Sequence, residues 1–250
     1  MRVMAIGAHP DDVEFMCAGT LFLLQQAGCE MHIATCTPGD CGSVERPPNE
    51  IAEVRREEAT RAADMLDADY TCLEERDCRI FAENETVQKA VEAIRRFAPE
   101  VVFTHFPEDY MVDHEETSRI VRSATFSAPI PNYSTGAENP APSMDHIPHL
   151  YYWEPMEGKG VFGQEVEPGF HVDITDTVDR KKDMLACHDS QRSWLLRQHG
   201  VDEYLNTMME HARHAGERVG CTYAEGFTQH RSHAYPADLV LEDYVPDALL

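Results

Sequence analysis

Residues 2–14 read RVMAIGAHPDDVE, and the change of character halfway along this stretch decides how the rest of the chain is read. The first half is a short apolar run with β-branched members, the pattern of a buried strand. The second half places a histidine, a proline, two adjacent aspartates and a glutamate where that strand ends. Proline suits the first turn of a helix. Helical spacing then runs from Pro10 to about Ala27, with Phe15, Ala18, Leu21, Phe22 and Leu24 for a buried face and Gly28 as the stop. A strand running directly into a helix is the first unit of an α/β sheet, and in such sheets ligands bind beyond the carboxyl ends of the strands. The polar cluster stands at that position.

The alternation continues. EMHIATCT (30–37) reads as a second strand, followed by a loop containing TPGDCGS (37–43). Residues 50–68 form a clear helical pattern, YTCLE (70–74) a strand, 85–98 a helix ended by Pro99, and EVVFTHF (100–106) a strong strand. Helical spacing resumes from His114 to Phe126. A Pro-, Ser- and Asn-rich stretch, 127–148, reads as an irregular surface segment. LYYWEP (150–155) and GFHVDIT (169–175) read as strands, and 176–191 and 203–220 as helices. The expectation is one α/β domain over 1–250, with a mostly parallel sheet and helices on both faces.

Composition narrows the partners. The formal net charge of −24 opposes nucleic acid and anionic membrane surfaces. No run is long and apolar enough to span a bilayer, and the N-terminus lacks the pattern of a secretion signal, so a cytoplasmic protein is expected. The eight cysteines show no CxxC spacing and read as reduced thiols, with Cys41 the most exposed.

A second polar cluster, HFPEDYMVDH (105–114), follows the strand at 100–106. If the two strands are sheet neighbours, the clusters face one another. His9 on the turn and Asp12 in the first helical turn can converge, and a third ligand such as His114 gives two nitrogens and one oxygen. That is the form of a catalytic zinc site with a position left for water. Helix starts also carry aspartate for capping and dipole reasons alone. The spacing leaves both readings open.

AHPDDVE followed by AGTL resembles the opening motif of the PIG-L/LmbE-like deacetylases, zinc-dependent enzymes that remove N-acetyl groups from sugar conjugates. TPGDCGS, residues 51–68, EDYMVDHEETSRIV (108–121), KKDMLACHDSQ (181–191) and YAEGF (223–227) resemble further family segments in the same order. The resemblance implies a Rossmann-like three-layer sandwich, His9, Asp12 and His114 as ligands of Zn2+, and Asp11 as general base. It also implies a substrate contact for Arg55, oxyanion stabilisation by Tyr204, a small N-acetylated sugar conjugate as substrate, and self-association as trimers or hexamers. Many members carry a histidine three residues before the last ligand, oriented by the aspartate next to that ligand. Here Met111 stands in its place, and Asp113 loses that partner. His105 is a candidate substitute, although a structural role suits it better. A missing oxyanion donor costs a factor of roughly 10² to 10³ in rate, so a hydratase acting on a small unsaturated acid stays open beside the deacetylase, with a non-catalytic sugar-binding module as a third reading.

Other residues carry expectations of their own. Glu14, three residues after Asp11, has the spacing of a capping box or of a contact to a ligand. Arg56, in a Glu-rich helix, suits an i,i+4 pair. His188 reads as structural, His211 and His214 as a solvated pair, and Trp153 and Trp194 as packing residues. Specificity is expected in loops 38–50 and 127–148.

Overall fold

The computed structural model describes residues 1–193 and 203–250. Trp194 lies outside the described residues. The chain alternates β1 (Arg2–Gly7), α1 (Asp12–Met16), α2 (Ala18–Gln26), β2 (Glu30–Thr35), α3 (Pro48–Asp64), β3 (Asp69–Cys72), α4 (Asn84–Phe97), β4 (Val101–Thr104) and α5 (Val112–Ser127). It continues with β5 (His149–Trp153), β6 (Phe170–Asp173), α6 (Val178–Leu185), α7 (Glu203–Val219) and β7 (Ala224–Gln229).

The seven strands form one sheet in the order β3-β2-β1-β4-β5-β7-β6. The first five are mutually parallel, and β7 runs antiparallel to both β5 and β6. β1 is central and buried from Val3 to Gly7, which explains its continuous apolar run. Its side chains alternate between two cores. Val3 and Ala5 join Phe103, Tyr151 and Phe227 on one face, while Met4 and Ile6 join Val102, Ile94 and Val121 on the other. A mostly parallel α/β sandwich is the architecture expected from the sequence.

Three local features differ from the sequence reading. The helix expected over 10–27 is broken at Cys17, whose backbone (φ −139°, ψ 5°) leaves the helical region. The break exposes a second helix start, and the Glu225 carboxylate fills it by accepting the N–H groups of Gly19 (2.9 Å) and Thr20 (2.8 Å). Lys181 neutralises that carboxylate at 2.6 Å, with both side chains buried. Glu225 lies on β7, a strand the sequence showed only as the motif YAEGF. Finally, loop 127–148 packs on α4 through Thr135–Glu92 (2.7 Å) and Arg95 to the Ala128 carbonyl (2.9 Å). It borders neither cleft of the site described below, so the specificity expected of it is not supported.

Candidate metal centre and its surroundings

β1 and β4 pair in register Ile6–Thr104, and the residues just beyond them meet. The chain turns back sharply after β1. A Cβ on Gly7 would lie 2.9 Å from the Asp12 Cβ, so glycine permits this return. Asp11 takes a left-handed conformation (φ 110°), a strained position for a residue with a side chain. Its own side chain caps nothing. Instead the Asp12 carboxylate accepts the His9 backbone N–H at 2.7 Å, fixing the turn.

His9, Asp12 and His114 present donor atoms that all lie within 4.8 Å of one another. His9 Nδ1 is 3.5 Å from Asp12 Oδ2, and His114 Nε2 is 3.5 Å from Asp12 Oδ1. The outward nitrogens are both held by carboxylates. His9 Nε2 meets Asp113 Oδ2 at 3.1 Å, and His114 Nδ1 meets Asp109 Oδ1 at 2.9 Å. Carboxylates in these positions fix ring orientation and raise ligand basicity in metal centres. Two imidazole nitrogens, one carboxylate and a cleft beyond them make a donor set suited to Zn2+.

The electrostatics belong to such a cluster. Burial alone would lower the His9 pKa, yet its hydrogen bonds to Asp113 and Asp12 outweigh that and raise it to about 10. His114 is raised against the same burial by Asp12 and Asp109. Asp12 is held well below the usual carboxylate range, because His114 and His105 outweigh its burial. Asp113 is likewise lowered despite burial, through His9 and the Cys78 N–H.

Asp11 stands beside the triad and points elsewhere. Its Oδ2 accepts the Tyr204 hydroxyl at 2.7 Å and lies 3.3 Å from the Arg55 guanidinium. Burial raises the Asp11 pKa, and Arg55 partly offsets this. Arg55 is itself buried and donates to the Pro10 carbonyl at 2.5 Å. Tyr204 is held well above its ordinary pKa by burial and by Asp11, so its hydroxyl is a donor.

The remaining expectations resolve as follows. Asp113 orients His9, in place of the absent histidine at position 111. His105 packs face to face on His114 (4.1 Å between centroids) and edge-on to Trp153. Burial and His114 lower its pKa to about 4, so the ring is neutral. Glu14 is no capping partner; it is buried 3.0 Å from His188 Nε2, behind Asp11. Arg56 pairs with Glu74 outside its own helix, not at i,i+4. His211 packs on Phe15 and burial lowers its pKa to about 3, so it is no solvated residue, whereas His214 is exposed. All eight cysteines are free, and Cys78 is exposed as well as Cys41. Asp109 was missed in the sequence; the i,i+5 spacing to His114 was the only signal it offered.

Two clefts flank the triad. One, of about 300 Å³, is walled by Phe15, Met16, Trp153 and Met156, with Tyr204, Thr207 and Glu203 contributed by α7. The other is shallower and more polar, with Arg55, Asp77, Cys41, Gly42, Cys78 and Met111 along it. Asp11, Asp12, Tyr110 and His114 border both.

Comparison with known proteins bears on the family and the fold. The family model PIG-L, described as GlcNAc-PI de-N-acetylase, matches residues 4–125. Among characterised relatives, a 4-oxalmesaconate hydratase of Pseudomonas putida is 25% identical over 237 residues, covering 89% of this chain and 86% of the relative. A diacetylchitobiose deacetylase of Thermococcus kodakarensis is 27% identical over 235 residues, covering 90% and 81%. Among solved structures, N,N'-diacetylchitobiose deacetylase from Pyrococcus horikoshii superposes with a TM-score of 0.77 at 23% identity, over 92% of this chain and 83% of that one. A 4-carboxy-2-hydroxymuconate hydratase from Pseudomonas putida superposes at 0.74 with 22% identity, over 95% and 99%. The matched family model and the deacetylase relative support a PIG-L/LmbE-like family for this chain.

Proposed function

We propose that the chain is a divalent-metal-dependent hydrolase that removes an acyl group from the nitrogen of a small amino-sugar derivative. The observation that carries this reading is the convergence of His9, Asp12 and His114, with the separately held carboxylate of Asp11 beside them. A metal ion bound by these three residues, most simply Zn2+, would supply Lewis-acid chemistry, lowering the pKa of water and polarising an acyl carbonyl.

The chain's own residues supply the rest. Asp11 takes a proton at its carboxylate and later returns it to the departing amine; burial, by raising its pKa, suits it to both steps. Tyr204 and Arg55 hold that carboxylate in place from two sides. The Tyr204 hydroxyl donates to Asp11 and so helps to position the base, while its place in the cleft lining leaves it beside the reacting carbonyl. Asp113 and Asp109 hold the two imidazoles in one tautomer each, Nδ1 of His9 and Nε2 of His114 being left for the cation.

A hydratase reading is favoured by the Pseudomonas putida relative and by Met111. The charge of the clefts opposes it. Among the described residues, Arg55 is the only Lys or Arg bordering either cleft, and its charge is paired with Asp11. Asp11, Asp12, Asp77, Asp109 and Glu203 would face a substrate bearing several carboxylates. The deciding assay presents the metal-loaded protein with N-acetylated amino sugars and, separately, with unsaturated dicarboxylic acids. Acetate release is expected; water addition without acetate release would establish the alternative.

A further inference from the structure

The two clefts differ in chemistry, and this bears on which part of the substrate occupies each. Sugar hydroxyls need hydrogen-bonding partners, and the second cleft offers Asp77, Arg55 and the loop at Cys41 and Gly42. The opposite chamber is walled by Phe15, Met16, Trp153 and Met156. The first three are buried and their packing fixes the wall. The chamber's polar lining residues stand at the triad and on α7, and the apolar wall opposite them rewards apolar groups.

The chamber's size is the second observation. Its volume of about 300 Å³ is roughly tenfold the ~30 Å³ share of one water molecule in the liquid. The methyl of an acetyl group is close to water in size, so an acetyl substrate leaves most of the chamber to solvent. Glu203 stands at its border, which disfavours a chain ending in a carboxylate.

From these features we infer that the chamber receives the acyl group, and that the substrate's acyl chain is longer than acetyl and uncharged. This rests on the deacylase reading above. The bond broken is the amide C–N bond. Water supplies the hydroxyl of the released carboxylic acid, and its proton passes to the amine.

Two measurements test it. In the first, N-acetyl-, N-butanoyl- and N-hexanoylglucosamine are compared with metal-loaded enzyme. Each methylene that enters the chamber should raise kcat/KM about fourfold. Met156→Trp narrows the chamber and should collapse the ratio of hexanoyl to acetyl activity; Thr207→Phe, at an exposed helix position with little folding risk, should act in the same direction. In the second, thermal shifts are recorded with acetohydroxamate, butanohydroxamate and hexanohydroxamate, which need binding but no turnover. A shift that grows with chain length supports the chamber even if no amide is cleaved, an outcome that would remove the deacylase reading alone. Acetyl preferred in the kinetic series, or hydroxamate shifts that are absent or independent of chain length, would overturn the inference.

Discussion

Asp113 meets His9 Nε2 at 3.1 Å, on the side of the ring facing away from Asp12 and His114. The same oxygen accepts the Cys78 backbone N–H at 2.7 Å, so the carboxylate is fixed before it fixes the ring. Asp109 does the same for His114 from within the loop that precedes α5.

Removing either support should loosen the metal without removing a ligand. Asp113→Ala and Asp109→Ala are each expected to weaken zinc binding by about 10- to 100-fold. Competition against a chelating dye measures this. Unchanged affinity in both variants would show that the two carboxylates do not act through the imidazoles.

Loading the metal should expel protons. In the metal-free chain the His9 pKa is raised from 6.5 to about 10, so the ring carries a proton at neutral pH. A cation requires the neutral ring. Calorimetry at pH 7.5 in buffers of differing ionisation enthalpy should therefore report release of about one proton or more per ion bound. The sign for metal-free stability follows from the same shift. The contribution of His9 is complete below pH 6.5 and is lost as pH rises through about 10. Metal uptake without proton release would contradict the protonated ring.

Lys181 and Glu225 form a pair with side-chain exposures of 0% and 2%, and Glu225 also fills the start of α2. Glu225→Ala strands a buried ammonium and two backbone donors. The expected cost is about 3–5 kcal/mol, read from urea unfolding. Removing the exposed Arg213, which pairs with Glu210 and Glu217 on α7, should leave the midpoint nearly unchanged.

What could be seen in the sequence was what local periodicity and adjacency encode. The apolar run of β1 and the polar groups at its end placed His9 and Asp12 on one turn, and the strand at 100–106 placed its own cluster alongside. The break at Cys17 was invisible because its cause lies over 200 residues away, at Glu225. β7 was missed for a related reason. A short strand containing Gly226 and a buried glutamate has no strand-like alternation, and its register is set by β5 and β6. The partnership of Glu14 with His188 is equally non-local, so helix-start spacing suggested a cap where the fold built a buried pair. Asp109 offered only its i,i+5 spacing to His114, a weak signal because the loop conformation that turns it onto the ring is not periodic.

The most direct measurement is of Asp11→Asn, with bound metal and acyl release determined on the same preparation. Asp11 lies outside the His9–Asp12–His114 group, so the variant should hold metal as the unmodified chain does while turnover falls by about 10² to 10⁴. Retained turnover would contradict the assignment of Asp11 as the base, and loss of the metal would contradict its separation from the ligand set.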